Sequence, residues 1–265
     1  MIVRRVENSW TFITQPAHAW LAGKLAAAWG NDSFISPSPF EAVVMATRLH
    51  DMGWLDWDAL PRLGEDRRPV NFVDTNLAET IPIWRRAVGR ISLMDPYAAL
   101  LVSKHASTIY HLRHERGVDP PEALSELGLM LAEQEAIQEQ FRTRLAEHPL
   151  YGPAVEVDHL KMAYRWLRVC DIFSLILCSD DLPLSGVIED VPAKSKGNLT
   201  SIFYERPAPY QLLLDPWPYK KPAITLSVQT HLLAKNSFQD ETGYRTSLDE
   251  APWIPQTVTL TARTP

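Results

Sequence analysis

Residues 47–54 read TRLHDMGW, and the adjacent His50 and Asp51 in this stretch are the feature from which a fold can be argued. Apolar residues recur at helical spacing before them, so the sequence predicts a helix that starts after Ser38 and delivers both side chains at its C-terminal end. Gly53 is predicted to stop that helix. A structural interpretation stays open, because a protonated histidine also stabilises a helix C-terminus as a cap.

Two other polar residues lie in apolar segments on either side of this stretch. His18 falls in a helix predicted to begin after Thr14 and to end at Gly30. Asp171 lies midway through the most apolar segment, 156–180, which is also predicted to be helical. A lone carboxylate in such a segment is costly to bury unless it is paired or binds a metal. Imidazole and carboxylate groups that converge from several helices make a good divalent-metal site.

The order of these residues, a histidine, then a His-Asp pair, then a distant aspartate, all on predicted helices, resembles the HD-domain superfamily of metal-dependent phosphohydrolases. Four longer segments together resemble a group of bacterial HD-related proteins of unknown function: TQPAHAWLAGKLAAAWG (14–30), LHDMGW (49–54), YAALLVSKHAS (97–107) and CDIFSLILC (170–178). The resemblance covers nearly the whole chain. It implies a helical metal-binding fold and a hydrolytic activity.

The resemblance also implies a ligand set. One divalent ion would be bound by four residues, namely His18, His50, Asp51 and Asp171. This mixture of imidazole and carboxylate favours Fe, Mn, Ni, Co or Zn over Mg or Ca. HD proteins with two ions add two histidines, and Asp51 would then bridge the ions. His105 is the favoured candidate because it follows an apolar run near mid-helix; the others are His111, His114, His148 and His159. One or two ions are therefore expected.

Structural interpretations of the same residues remain open. His18 and His105 also suit packed positions inside helices. Asp171 can instead form an ion pair with Arg165 or Arg168, which lie on its own predicted helix. Trp54 and Trp57, which follow the His-Asp pair, suit either a pocket wall or a core position. Lys104, which precedes His105, suits either a contact with an anionic substrate or a place on the surface.

The sequence departs from hydrolytic HD proteins at one position. The residue shortly after His-Asp-x-Gly is often Lys in those proteins and is Trp54 here, so a cation that would steer phosphate is missing at that place. The predicted loop over 54–72 carries three arginines that either replace this cation or are simply solvated: Arg62, Arg67 and Arg68. Long loops beside a site are often functional.

Two regions differ in their sequence pattern. Residues 14–180 are predicted to be mostly helical, whereas 184–262 are predicted to form short strands at 199–205, 210–216, 223–233 and 257–263. The predicted fold is mainly α, an HD-like helical bundle with a C-terminal antiparallel β appendage. The predicted domains are a helical metal-binding domain over 1–182 and a β-rich extension packed on it over 183–265.

Composition and charge argue against several classes of protein. The 265 residues carry a formal net charge of -6, which disfavours a general nucleic-acid binder. The sequence has no phosphate-binding GxxxxGK[ST] or GxGxxG motif. Cys170 and Cys178 lie in one predicted helix, too far apart for a disulfide, which favours a reducing compartment. With no signal peptide and no apolar run that could span a membrane, the sequence predicts a cytoplasmic protein.

The leading functional prediction is a metal-dependent hydrolase of a phosphoester or related bond, with Asp51 and His105 as catalytic residues. The predicted partner is a small molecule, for which an anionic group is compatible, rather than nucleic acid or membrane. Exposed strand edges in the β region would allow a homodimer. Two alternatives remain open: a di-iron oxygenase of the HD fold, which needs two further histidine ligands, and a non-catalytic metal-binding or sensor protein.

Overall fold

The computed structural model describes residues 1–117, 119–194, 198–235 and 237–263. Its helices are α1 (Gln15–Ala28), α2 (Phe40–Leu49), α3 (Leu55–Asp58), α4 (Leu77–Ser92), α5 (Pro96–Arg116), α6 (Pro121–Leu145), α7 (Val157–Cys178) and α8 (Glu241–Asp249). Its strands are β1 (Ile2–Val6), β2 (Ser9–Ile13), β3 (Ser185–Pro192), β4 (Leu199–Glu205), β5 (Gln211–Asp215), β6 (Ala223–Leu233) and β7 (Trp253–Ala262).

All of these strands form one seven-stranded sheet in the order β1-β2-β6-β7-β5-β4-β3. Neighbouring strands are antiparallel except β5 and β7, which run parallel. The sheet thus combines strands from before and after residue 182, where the sequence predicted a domain boundary. It packs on the helices through β6 against α1 and β3 against α7.

The predicted fold class, a mainly α bundle with an antiparallel β appendage, is wrong. About half of the residues are helical, and a further 22% lie in the curled, mixed sheet, so the protein has an α/β fold and not an all-α bundle. The sequence analysis did not predict the hairpin of β1 and β2, because Arg4 and Arg5 interrupt the apolar residues of β1. Arg4 is nevertheless buried, since its guanidinium donates to both carboxylate oxygens of Asp180 at 2.9 and 3.0 Å.

The helices that were predicted for the first 180 residues form the core on which the site is built. α5, α6 and α7 lie within a few residues of their predicted limits, and α7 is the most deeply buried of them. α1, α2, α5 and α7 pack against one another, so their inward faces meet. Within the described residues, no helix combines the length and the apolar character needed to cross a membrane.

The starts of α1 and α2 differ in how their backbone N–H groups are satisfied. Thr14 caps α1 as predicted, because its Oγ1 accepts from the Ala17 N–H at 3.2 Å. The predicted cap of α2, Ser38, is not used: Pro39 occupies the N-cap position, and no side chain among the described residues accepts from the first turn. The start of α2 therefore presents uncapped N–H donors.

Candidate metal centre

Four helices bring five ionisable side chains to one buried point. The cluster comprises His18 of α1, His50 and Asp51 at the end of α2, His105 of α5 and Asp171 of α7. Each is at most 7% exposed. All five residues that the sequence singled out as ligands or catalytic groups are therefore brought together by the packing of these helices.

The two carboxylates lie between the imidazoles. Asp51 Oδ2 is 2.7 Å from His18 Nε2 and 3.5 Å from His50 Nε2. Asp171 Oδ1 is 3.3 Å from His50 Nε2, and its Oδ2 is 3.6 Å from His105 Nε2. Two groups, His18–His50–Asp51 and His50–His105–Asp171, each have ligand atoms within 4.8 Å of one another. This spacing lets a single small ion contact several of them.

Two of the histidines are held by acceptors behind them. His50 Nδ1 donates to the Thr47 carbonyl at 2.8 Å, which leaves Nε2 directed at the carboxylates. The Ser174 hydroxyl donates to the Asp171 carbonyl, so it accepts from His18 Nδ1 at 2.8 Å. Histidines that bind metals usually have such a partner on the second nitrogen, because it fixes the ring and the tautomer.

His105 differs from the other two histidines in this respect. Its Nδ1 is buried and has no hydrogen-bond partner among the described residues. Its ring is held by aromatic contacts, 5.6 Å from the Trp84 ring and 6.0 Å from the Tyr164 ring between centroids. It therefore lacks the acceptor that orients His18 and His50, although it belongs to one of the two ligand groups.

The ionisable groups of the cluster shift the pKa values of one another. Burial alone would lower the pKa of His50, but the carboxylates of Asp51 and Asp171 outweigh it and raise that pKa to about 9. Burial would raise the pKa of both carboxyl groups, whereas the neighbouring imidazoles, His50 foremost, hold them below their usual values. Burial lowers the pKa of His105 to about 4, so this imidazole is neutral at pH 7.

These buried His and Asp groups can hold a metal ion. Ion pairing leaves one buried oxygen of the cluster without a hydrogen bond. Asp171 Oδ1 accepts none of good geometry from the described residues. A cation would provide that oxygen with a partner. His50 belongs to both ligand groups and, because Nδ1 donates to the Thr47 carbonyl, offers only Nε2 to an ion in either group.

The other histidines that the sequence offered as ligands for a second ion lie elsewhere. His111 faces Glu135 at 3.3 Å and is exposed, and His159 is hydrogen-bonded to the Pro153 carbonyl. His114 and His148 are also exposed. Among the described residues, only His105 joins the cluster as an additional histidine.

The cluster forms the floor of a cavity of about 190 Å³, the metal pocket. Trp54, Phe72, Trp84 and Tyr110 supply aromatic walls. Arg113 of α5 also lines the pocket, half-buried, and donates to both oxygens of Asp119 through Nε and Nη2 at 2.8 and 2.7 Å. The sequence analysis missed Arg113, although its eight-residue distance from His105 places the two on neighbouring faces of one helix.

Of the remaining candidate residues from the sequence, one lines the metal pocket and the others lie outside it. Trp54 lines the pocket, whereas Trp57 packs beside it with ring centroids 5.5 Å apart. Lys104 lies over the Tyr164 ring outside the pocket. Arg168 donates to the Glu189 carbonyl rather than to Asp171. The loop arginines are not part of the pocket wall: Arg62 pairs with Glu79, Arg68 faces Asp66, and Arg67 is exposed.

Fold and site together define an α/β protein with a buried His/Asp cluster that can hold a metal, set where four helices meet. The model of a family described as a protein of unknown function, DUF3891, matches residues 1–235, so the chain belongs to that family. The chain has no significant match among curated proteins or among solved structures.

Proposed function

We propose that this protein is a metal-dependent hydrolase of small phosphoesters, with the metal pocket as its active site. The observation that carries the proposal is the combination of four ligand groups, a neutral buried histidine and an arginine around a single pocket. The resemblance of the His, His-Asp, Asp pattern to HD-domain phosphohydrolases agrees with this chemistry.

The ligands in this proposal are His18, His50, Asp51 and Asp171. A divalent transition metal, one of Fe, Mn, Co, Ni or Zn, supplies Lewis-acid polarisation of the phosphoryl oxygens when it is bound there. The carboxylates of Asp51 and Asp171 keep the site anionic, which favours a divalent cation over a monovalent one.

His105 is the proton-transfer group in this proposal. Its imidazole is neutral at pH 7, so one ring nitrogen carries a lone pair, and Nε2 is the nitrogen that faces the cluster, 3.6 Å from Asp171 Oδ2. As the oxygen of the attacking water bonds to phosphorus, the bond from phosphorus to the alcohol oxygen breaks. His105 accepts the proton that the water loses and returns it to the departing alkoxide oxygen.

Arg113 and the aromatic walls determine which esters fit. Nε and Nη2 of Arg113 are engaged by Asp119, and Nη1 is left for an anionic oxygen of the substrate. A cavity of about 190 Å³ has room for a compact alcohol group against Trp54, Phe72 and Trp84. We therefore expect small aryl or alkyl phosphates to be better substrates than whole nucleotides.

The test of this function is hydrolysis by the protein loaded with each of the five metals in turn. We expect turnover of p-nitrophenyl phosphate or its diester with at least one metal, and a His105→Gln variant that keeps its metal but loses about 100-fold or more in kcat, since general acid–base groups contribute that much. His159→Gln, at a half-buried position outside the metal pocket, is the matched control and should keep full activity.

Two results would contradict the proposal. Absence of turnover on mono- and diesters with every metal, in protein shown to be loaded, would rule out the hydrolase. Loss of metal from His105→Gln would instead make His105 a ligand, and unchanged kcat would remove it from the reaction.

Arg113→Gln is expected to raise KM for a phosphate ester by about 10-fold to 100-fold, because hydrogen bonds to charged groups contribute about 1.5–3 kcal/mol. The value of kcat should change much less, since the substituted residue binds the anion and transfers no proton. Steady-state kinetics on both variants check this, with the exposed Arg116→Gln of the same helix as control. An unchanged KM in Arg113→Gln would place the anion elsewhere.

A further inference from the structure

A second and larger cavity, of about 1200 Å³, lies between the start of α2, the segment that joins α6 to α7, and the first half of α7. We call it the α2–α7 cavity. It shares no lining residue with the metal pocket. Of the residues that the sequence analysis offered as metal ligands or catalytic groups, only His159, a candidate for a second ion, is among its described lining residues.

One wall of the α2–α7 cavity is apolar. Met162 and Trp166 of α7 form its floor, and Phe40, Leu150 and Leu199 surround its opening with 38–59% of their side-chain surface exposed. Exposed apolar side chains collected around one concave surface are typical of a ligand site rather than of an ordinary surface. This wall fits a hydrocarbon chain.

The same cavity offers hydrogen-bond donors at the start of α2. The first turn of α2 lies in the wall, through Phe40, Glu41 and Ala42, and no side chain of the described residues caps its N–H groups. A helix start attracts negative charge. These donors suit an anionic acceptor supplied by a ligand.

Cationic side chains accompany these donors. Arg165 is half-buried in the wall and Lys161 is exposed beside it, and neither forms an ion pair within the part of the chain that the structure describes. Two acidic residues, Glu41 and Asp158, also line the cavity and are exposed. They oppose an anion there, which allows a test with charge changes of both signs.

We propose that the α2–α7 cavity binds a free amphiphilic anion, a molecule with a carboxylate or phosphate head and a hydrocarbon chain. The head contacts Arg165 and the start of α2. The chain lies against Met162 and the apolar residues around the opening. This site is separate from the metal pocket, so the proposal does not depend on the proposed hydrolase activity.

The experiment is titration calorimetry of the full chain with decanoate, decyl phosphate and decanol, each below its micelle concentration so that binding reports the free molecule. We expect saturable binding of one anion per chain for decanoate or decyl phosphate. Decanol, with the same chain and no charge, should bind at least about 10-fold more weakly, because it makes no charge-assisted hydrogen bond.

Variants connect that binding to the cavity. Arg165→Gln should weaken anion binding by about 5-fold or more, whereas Glu41→Gln should tighten it, because the first removes an attractive charge and the second a repulsive one. Arg144→Gln, an exposed change outside the cavity, and Arg113→Gln in the metal pocket should leave it unchanged.

The proposal is overturned if neither anion binds saturably, or if decanol binds as tightly as the anions. It is also overturned if Arg113→Gln, but not Arg165→Gln, weakens the binding, because the anion would then occupy the metal pocket. Circular dichroism of each variant verifies that the fold is retained.

Discussion

Asp171→Asn is expected to reduce the affinity for the metal, and with it the turnover, by at least about 100-fold. Asp171 lies 3.3 Å from His50 and 3.6 Å from His105, in the middle of the buried cluster. The substitution keeps the shape of the side chain but removes the negative charge that balances the imidazoles and attracts the cation. Metal affinity by competition with a chelating dye, and turnover at saturating metal, measure the two effects.

The matched control for this prediction is His111→Ala. His111 was a sequence candidate for a second metal, but it is exposed and faces Glu135. We expect its removal to change neither metal affinity nor turnover. Full metal affinity in a folded Asp171→Asn variant would contradict the site as described here. An equal loss in His111→Ala would show that the ligand set has been assigned wrongly.

Gly53→Ala is expected to destabilise the protein by about 2–3 kcal/mol, the range typical of overpacking a tight contact. A Cβ atom at this position would overlap the backbone carbonyl oxygen of Ile83 in α4 and would also press on Ala87. The opposing atom is backbone, so relief requires moving α4 or the turn that carries Asp51. Thermal unfolding should show a lower Tm by about 5–10 °C.

Gly89→Ala provides the comparison on the same helix. A Cβ at Gly89 would meet nothing within 4 Å, and the residue lies inside α4. Since alanine loses less conformational freedom than glycine in a helix, this variant should be more stable by about 0.5–1 kcal/mol. A Gly53→Ala variant as stable as the parent would show that the turn after α2 is less tightly packed against α4 than described.

The residues of the candidate site could be predicted from the sequence because each differs in polarity from its neighbours in the chain. His18, the His-Asp pair and Asp171 are isolated polar residues in apolar helical segments, and burial of such groups requires a partner. The order of these residues in the chain, through its resemblance to the HD pattern, indicated which of them meet. Spacing along the chain cannot give the distance between side chains on different helices.

Arg113 was missed for a physical reason. It lies in YHLRHER, a polar helix end whose side chains are expected to be solvated. Only its spacing from His105 along the helix indicates that it lies near the pocket. Gly53 was recognised but misinterpreted. It was expected to end α2, whereas α2 ends at Leu49 and Gly53 permits close approach to α4.

The sheet was the part of the fold that the sequence could not provide. β1 carries two arginines, and the burial of Arg4 depends on a partner far along the chain, Asp180. The parallel pairing of β5 with β7 likewise joins segments that are separated by β6 and α8. Local alternation reports which residues form strands, but not which strands become neighbours.

The central claim, that the buried cluster is a metal site, is tested most directly by metal analysis of the protein purified without a histidine tag, beside a His50→Ala variant. Because both ligand groups require His50, we predict about one equivalent of Fe, Mn, Co, Ni or Zn per chain in the parent protein and almost none in the variant. No metal in the parent, even after reconstitution with each of the five ions, would contradict the claim and leave the cluster as a structural ion-pair network.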